Sequence, residues 1–156
     1  MFLESNNNSG YIEVVCGSMF SGKTEELIRR IKRVQIAGQQ FKVFKPKIDN
    51  RYSDDKVVSH SKNEIHSIVV DKAVDILDLV DDEDDVIGVD EVQFFDEAIV
   101  AVCTALADSG RRVIVAGLDM DYTGQPFGPM PGLLSIAEYV TKVKAICMDC
   151  SSLANF

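Results

Sequence analysis

The chain has 156 residues, 46% of them hydrophobic and 26% charged, which is the make-up of one globular domain able to bury a core. It carries no apolar run near the roughly 20 residues needed to span a bilayer, and Met1-Phe2-Leu3-Glu4 lacks the basic, apolar start of a secretory leader, so a cytoplasmic location with reduced cysteines is expected. With 16 bases against 25 acids the net charge is −9, which repels nucleic acid and membrane surfaces but leaves small anions such as nucleotides as ligands.

Residues 1–10 are polar and Asn-rich and read as a disordered tail. Tyr11 to Cys16 is a β-branched apolar run that ends at a glycine, a strand signal. From Thr24 to Ala37 apolar residues recur at helical spacing (Leu27, Ile28, Ile31, Val34), and Gly38 stops the helix. A strand from Phe41 to Lys45 closes at Pro46, and Lys47 to Lys62 reads as a long loop. A third strand is expected over Ile65–Val70 and a short helix over Lys72–Val80. The acidic run Asp81-Asp82-Glu83-Asp84-Asp85 reads as a solvated turn before the strand Val86–Asp90. Asp96–Ser109 is helical up to Gly110, and Arg112–Gly117 is a buried strand. Leu118 to Gly132, rich in Gly and Pro, reads as a second long loop. A short helix near Leu133–Ala137 and a strand over Val140–Ile146 end the pattern. Nearly all-apolar strands alternating with helices predict an α/β fold with a parallel sheet covered on both faces.

Gly17-Ser18-Met19-Phe20-Ser21-Gly22-Lys23-Thr24 is a complete G-x-x-x-x-G-K-[ST] between an expected strand and an expected helix. Glycines let the backbone curl so that successive N–H groups face a phosphate, and the helix N-terminus adds partial positive charge. Lys23 can bridge the outer phosphates, and the Thr24 hydroxyl can ligate Mg²⁺. Such a site needs a carboxylate at the end of a neighbouring strand, and Asp90 stands there. Glu91 follows at the same sheet edge, where it can accept a proton from an attacking hydroxyl or water. These residues alone describe a P-loop kinase, an ATPase, or a regulatory protein that binds nucleotide without turnover.

Two further segments bear on the acceptor. Asp49-Asn50-Arg51-Tyr52 combines an acid, a base and a ring on the first long loop, where Arg51 can neutralise charge on a transferring phosphoryl group and Asp49 can assist the metal. A surface turn reads equally well there. Gln93-Phe94-Phe95 and Tyr122-Thr123-Gly124-Gln125-Pro126-Phe127-Gly128 bring rings near two strand ends, which suits a flat, partly apolar ligand such as a base. His60 and His66 stand alone and read as structural or exposed, and Cys16 and Cys103 read as buried small residues.

Taken together, GSMFSGKT (Gly17–Thr24), DNRY (Asp49–Tyr52), DEVQFF (Asp90–Phe95), Gly117-Leu118-Asp119 and Pro126-Phe127-Gly128 resemble the cytosolic, type II thymidine kinases, over about Tyr11 to Cys150. The resemblance implies a RecA-like P-loop domain (11–146) with a small zinc-binding subdomain from 147, assembled as a homotetramer. It implies transfer of the γ-phosphoryl of ATP to the 5′-hydroxyl of thymidine, with deoxyuridine as a further substrate. By the same likeness Glu91 is the general base, with Arg51 beside it. Residues Gly17 to Thr24, Asp90 and Gln93 lie on the ATP side. Met19, Asp49, Arg51, Phe94, Leu118, Tyr122 and Phe127 surround the nucleoside, and Thr24, Asp49 and Asp90 face Mg²⁺.

Cys147-Met148-Asp149-Cys150 has the C-x-x-C spacing of half a tetrahedral zinc site. The family pattern calls for a second ligand pair some tens of residues later, after a loop that closes over thymidine, and only Ser151 to Phe156 follow here. Half a site has little structural use, so a shortened chain or an omitted stretch is favoured over a true departure from the family pattern.

Overall fold

The computed structural model describes residues 10–48, 56–58, 64–146 and 153–154. The expected tail, the Asp49–Tyr52 motif, His60, Cys147 and Cys150 lie outside the described residues.

The elements in chain order are β1 (Tyr11–Gly17), α1 (Lys23–Ile36), β2 (Phe41–Pro46), β3 (Lys56–Val58), β4 (Glu64–His66), β5 (Ile68–Val70), α2 (Asp75–Leu79), β6 (Val86–Val89), a 3₁₀ turn (Val92–Phe94), α3 (Ala98–Asp108), β7 (Arg112–Leu118), α4 (Met130–Ile136), β8 (Tyr139–Val143), β9 (Ala145–Ile146) and β10 (Leu153–Ala154). Six strands form one sheet in the order β5-β2-β6-β7-β1-β8, and every pairing within it is parallel. The expected α/β architecture is therefore present, and all six C-terminal strand ends share one edge, where such sheets bind ligands.

Because strand side chains alternate in direction, each buried strand feeds two cores. Val15, Val43, Val86, Ile114 and Ala116 meet Leu27, Ile28, Ile31 and Val34 of α1. On the other face Ile12, Val14, Phe44, Ile87, Val89, Val113 and Val115 pack with Ile76, Ile99, Val102, Leu106, Met130 and Leu133 of α2, α3 and α4. Full burial of each such aliphatic side chain is worth about 1.5–3 kcal/mol.

Charged residues inside this frame are paired. Glu13, buried on β1, accepts from Arg30 of α1 at 2.9 Å and from both Nε and Nη2 of Arg112 on β7. Arg30 also donates to Glu26 Oε1 at 2.8 Å and to Thr141 Oγ1 of β8 at 3.1 Å. Glu13 thus ties α1 to β1 and β7, and Arg30 extends the network to β8.

The structure departs from the sequence reading in several places. The last strand, expected over Val140–Ile146, is two: β8 ends at Val143 in the main sheet, and β9 pairs antiparallel with β10. The first long loop, expected over Lys47–Lys62, holds the short strand β3. The segment expected as one strand over Ile65–Val70 is two: β4 pairs antiparallel with β3, and β5 joins the main sheet. Ser67, buried at the junction, separates them. The second helix is confined to Asp75–Leu79. The fourth helix starts at Met130, because Pro131 falls in its first turn, where a missing N–H costs nothing. The acidic run is not wholly solvated: Asp84 is buried, binds Lys42 at 2.5 Å and accepts from the Asp81 N–H at 2.8 Å.

Candidate active site

The loop from β1 to α1 has the backbone that its glycines allow. Gly17 lies at φ 149°, and a Cβ there would stand 2.0 Å from the Val143 carbonyl oxygen, so the root of the loop packs directly on β8. Gly22 caps α1 at φ 90° in the left-handed region, open to glycine without a Cβ penalty. Phe20 is also left-handed, at φ 60°, and is 71% exposed. Met19 beside it is 58% exposed, so both side chains project from the tip of the loop.

Lys23 and Thr24 open α1. The Lys23 ammonium donates to the Ser18 carbonyl oxygen at 2.5 Å and to Ser21 Oγ at 3.3 Å, which holds the cation within the loop. Burial lowers its pKa, and Asp90, Glu91 and Asp119 pull the other way. Thr24 Oγ1 donates to Asp90 Oδ2 at 3.3 Å, which joins the start of α1 to the end of β6. Asp90 is buried and also accepts from the Glu91 N–H. Burial, followed by the Glu91 charge, pushes its pKa up to about 6. A divalent cation would offset that cost, and a P-loop hydroxyl beside a buried carboxylate is a donor set that fits Mg²⁺.

Glu91 sits at φ 52°, ψ 38°, left-handed for a non-glycine residue, at the mouth of the 3₁₀ turn. That conformation costs on the order of 1 kcal/mol, and it fixes the direction in which the Glu91 side chain leaves the end of β6. Gln93 is buried, and its Oε1 accepts from the Leu118 N–H at 3.1 Å, so this candidate phosphate-side residue ties the Glu91 segment to the end of β7. The contact depends on missing side chains, because a Cβ on Gly117 would lie 2.7 Å from Gln93 Oε1 and one on Gly128 would lie 2.6 Å from the Gln93 carbonyl oxygen. Phe94 and Phe127 meet edge to face at 5.4 Å, and Phe94 remains 42% exposed. Tyr122 is 93% exposed on the same loop as Phe127.

The structure therefore brings together the P-loop, Asp90, Glu91, Gln93, Phe94, Leu118 and Phe127 at one edge. Asp49, Arg51, Cys147 and Cys150 lie outside the described residues. Cys16 and Cys103 are buried, as expected, and burial raises the pKa of both thiols. His66 is exposed. Among the described residues no group of three or more His, Cys, Asp or Glu gathers as a metal cage. A cavity of about 480 Å³ lined by Lys32, Phe41, Lys42 and His66 shares no residue with the site.

A family model for thymidine kinase matches residues 10–156. A thymidine kinase of Bacteroides fragilis (strain YCH46) is 56% identical over 154 residues, covering 99% of this chain and 77% of that protein. Thymidine kinases of Rhodothermus sp. (strain ITI 518) and Porphyromonas gingivalis (strain ATCC 33277) are 56% and 58% identical, over 99% and 94% of this chain and 72% of each relative. The chain belongs to the thymidine kinase family. It is an enzyme, a nucleoside kinase.

Asp119 has no role in the sequence reading, yet the structure places it beside the site. Asp119, immediately after β7, is buried and pairs with Lys142 of β8 at 2.8 Å. Its other oxygen, Oδ1, is buried with no hydrogen-bond partner among the described residues. The ion pair spans the end of β1, where Cys16 is flanked by Gly117 on one side and Lys142 on the other. A carboxylate directly after an apolar strand was the only signal in the sequence, and its partner lies on another strand.

Proposed function

We propose that this thymidine kinase transfers the γ-phosphoryl of ATP to the 5′-hydroxyl of thymidine, and of deoxyuridine, with Glu91 as the proton acceptor. The observation that carries the reading is the Thr24–Asp90 hydrogen bond, with Glu91 next in sequence in a strained conformation. Phosphoryl transfer needs positioning, charge neutralisation and a base rather than a covalent nucleophile.

In this reading the N–H groups of Gly17 to Thr24 and the Lys23 ammonium bind the phosphate chain. Thr24, Asp90 and Asp49 would hold Mg²⁺, whose chemistry is to neutralise phosphate charge. Arg51 neutralises charge on the phosphoryl group in flight. Met19, Arg51, Phe94, Leu118, Tyr122 and Phe127 pack around the nucleoside, and the Phe94–Phe127 contact supports an aromatic wall there. Gln93 serves the phosphate side by holding the Glu91 segment against β7.

The sheet order supports a RecA-like domain over 11–146. Cys147 and Cys150 would give two thiolates to a structural zinc subdomain, a reading supported by their C-x-x-C spacing. A homotetramer follows from family likeness. A cytoplasmic location agrees with the finding that no helix among the described residues is long and apolar enough to cross a membrane.

A coupled assay of ADP release with and without thymidine tests the reading. Release that depends on thymidine and yields thymidine monophosphate is expected. Full-rate release without any nucleoside would make the chain an ATPase instead.

A further inference from the structure

The loop after β7 is built around one side chain. Asp121 Oδ1 accepts from the Thr123 N–H at 2.8 Å, from Thr123 Oγ1 at 2.5 Å and from the Gln125 N–H at 3.1 Å. The Asp121 backbone completes the ring, its N–H donating to the Gln125 carbonyl at 2.8 Å and its carbonyl accepting from Gly124 at 3.0 Å. Gly124 supplies the left-handed turn at φ 81°. A bridge between Met120 and Pro126 closes the base, and the Phe127 N–H donates to the Asp119 carbonyl at 3.1 Å.

Tyr122 stands inside that ring. A side chain so exposed gains almost nothing from burial, so its direction is set by the backbone that carries it. An unconstrained loop of this composition would sample many orientations, and a ligand stacking on the ring would have to offset the ordering entropy. The loop is also docked on the segment that carries Glu91, through Phe127 against Phe94 and Gly128 against the Gln93 carbonyl.

We propose that Asp121 is a positioning residue for the nucleoside: it fixes the loop in advance, so that Tyr122 meets the acceptor without an ordering cost. The inference rests on the reading above that places Tyr122 against the nucleoside. The same hydrogen bonds, from the Thr123 side chain first, hold the Asp121 carboxyl below its ordinary pKa, as expected for an ionised acceptor of several donors.

Steady-state kinetics on the full chain test this with Asp121→Ala, Asp121→Asn and Tyr122→Ala, each against thymidine and ATP. Asp121→Ala is expected to raise the KM for thymidine by about 5- to 20-fold with kcat within about twofold and the KM for ATP unchanged, as for lost uniform binding. Asp121→Asn keeps an oxygen for the Thr123 and Gln125 N–H groups and is expected to return the thymidine KM to within about threefold of the parent. If Tyr122→Ala raises that KM and Asp121→Ala does not, the positioning role is overturned while the placement of Tyr122 stands. A parallel rise in both KM values, not rescued by Asn, would make Asp121 merely structural and also overturn it. An unchanged thymidine KM in Tyr122→Ala removes Tyr122 from the nucleoside and the inference with it.

Discussion

Thr24 and Asp90, 66 positions apart in the chain, are joined by a hydrogen bond of 3.3 Å between a hydroxyl at the start of α1 and a buried carboxylate at the end of β6. The contact brings the glycine-rich Gly17–Thr24 loop and an acidic strand end together, with Glu91 as the next residue. The fold needs neither side chain for its core.

Replacing Glu91 by Gln keeps size and hydrogen bonding but removes the proton acceptor. The expected result is a fall in kcat of about 10²- to 10⁴-fold with the KM for ATP nearly unchanged. Steady-state rates with saturating thymidine check it, and parental turnover in the variant would take Glu91 out of the base role.

Gly17→Ala tests how the loop is rooted. The added methyl would meet the Val143 carbonyl oxygen, a backbone atom on β8 that cannot swing aside. A loss of at least about 2 kcal/mol in unfolding free energy is expected, together with weakened ATP binding. Urea unfolding and nucleotide titration read the two effects separately. A variant matching the parent in both would show that β8 yields at no cost.

Glu13→Ala would leave Arg30 and Arg112 facing each other without their shared anion. Breaking a buried pair from one side costs about 3–5 kcal/mol, and the partial exposure of Arg112 brings the expectation to about 2–3 kcal/mol. Because Glu13 lies away from the site, activity below the unfolding temperature should persist. Thermal unfolding and an assay at low temperature distinguish these outcomes.

Glu26 supplies a pH signature. Hydrogen bonds from Arg29 and then Arg30, opposed by some burial, lower its carboxyl pKa from 4.5 to about 2. A depressed acid pKa means the unfolded chain takes up the proton first. The contribution is therefore complete above about pH 4.5 and is lost as pH falls toward about 2. Since the side chain is only partly buried and its first partner, Arg29, is exposed to solvent, the pairing is worth only about 0.5–1 kcal/mol. Urea midpoints of the parent and Glu26→Gln should differ at pH 7 and converge as the pH drops below about 4.5. A gap that widens in acid would contradict the sign.

Much of this architecture is legible in the sequence, because its signals are local. Leu27, Ile28, Ile31 and Val34 announce α1 by their spacing, and all four are buried. The apolar strands lie close to their expected bounds, and the P-loop motif falls between the strand and helix it requires. What stayed hidden depends on partners far along the chain. Asp84 reads as one acid among several until Lys42 is found beside it. Glu13 interrupts an apolar strand for no local reason, and Arg30 and Arg112, 17 and 99 positions later, account for it. Asp119 is explained by Lys142, and the division of Ile65–Val70 by which strand each half pairs with.

The position of β1 between β7 and β8 also sets the order in which the molecule can be completed. β1 has no neighbour in the sheet until β7, some hundred residues further on, has been synthesised. α1 can cover one face of β1 as soon as it forms, but Ile12 and Val14 on the other face wait for α3 and α4, a stage at which nascent chains of high contact order are prone to associate wrongly. The glycine-rich loop after β1 is therefore made early and framed late, once β7 and β8 have joined the sheet on either side of it.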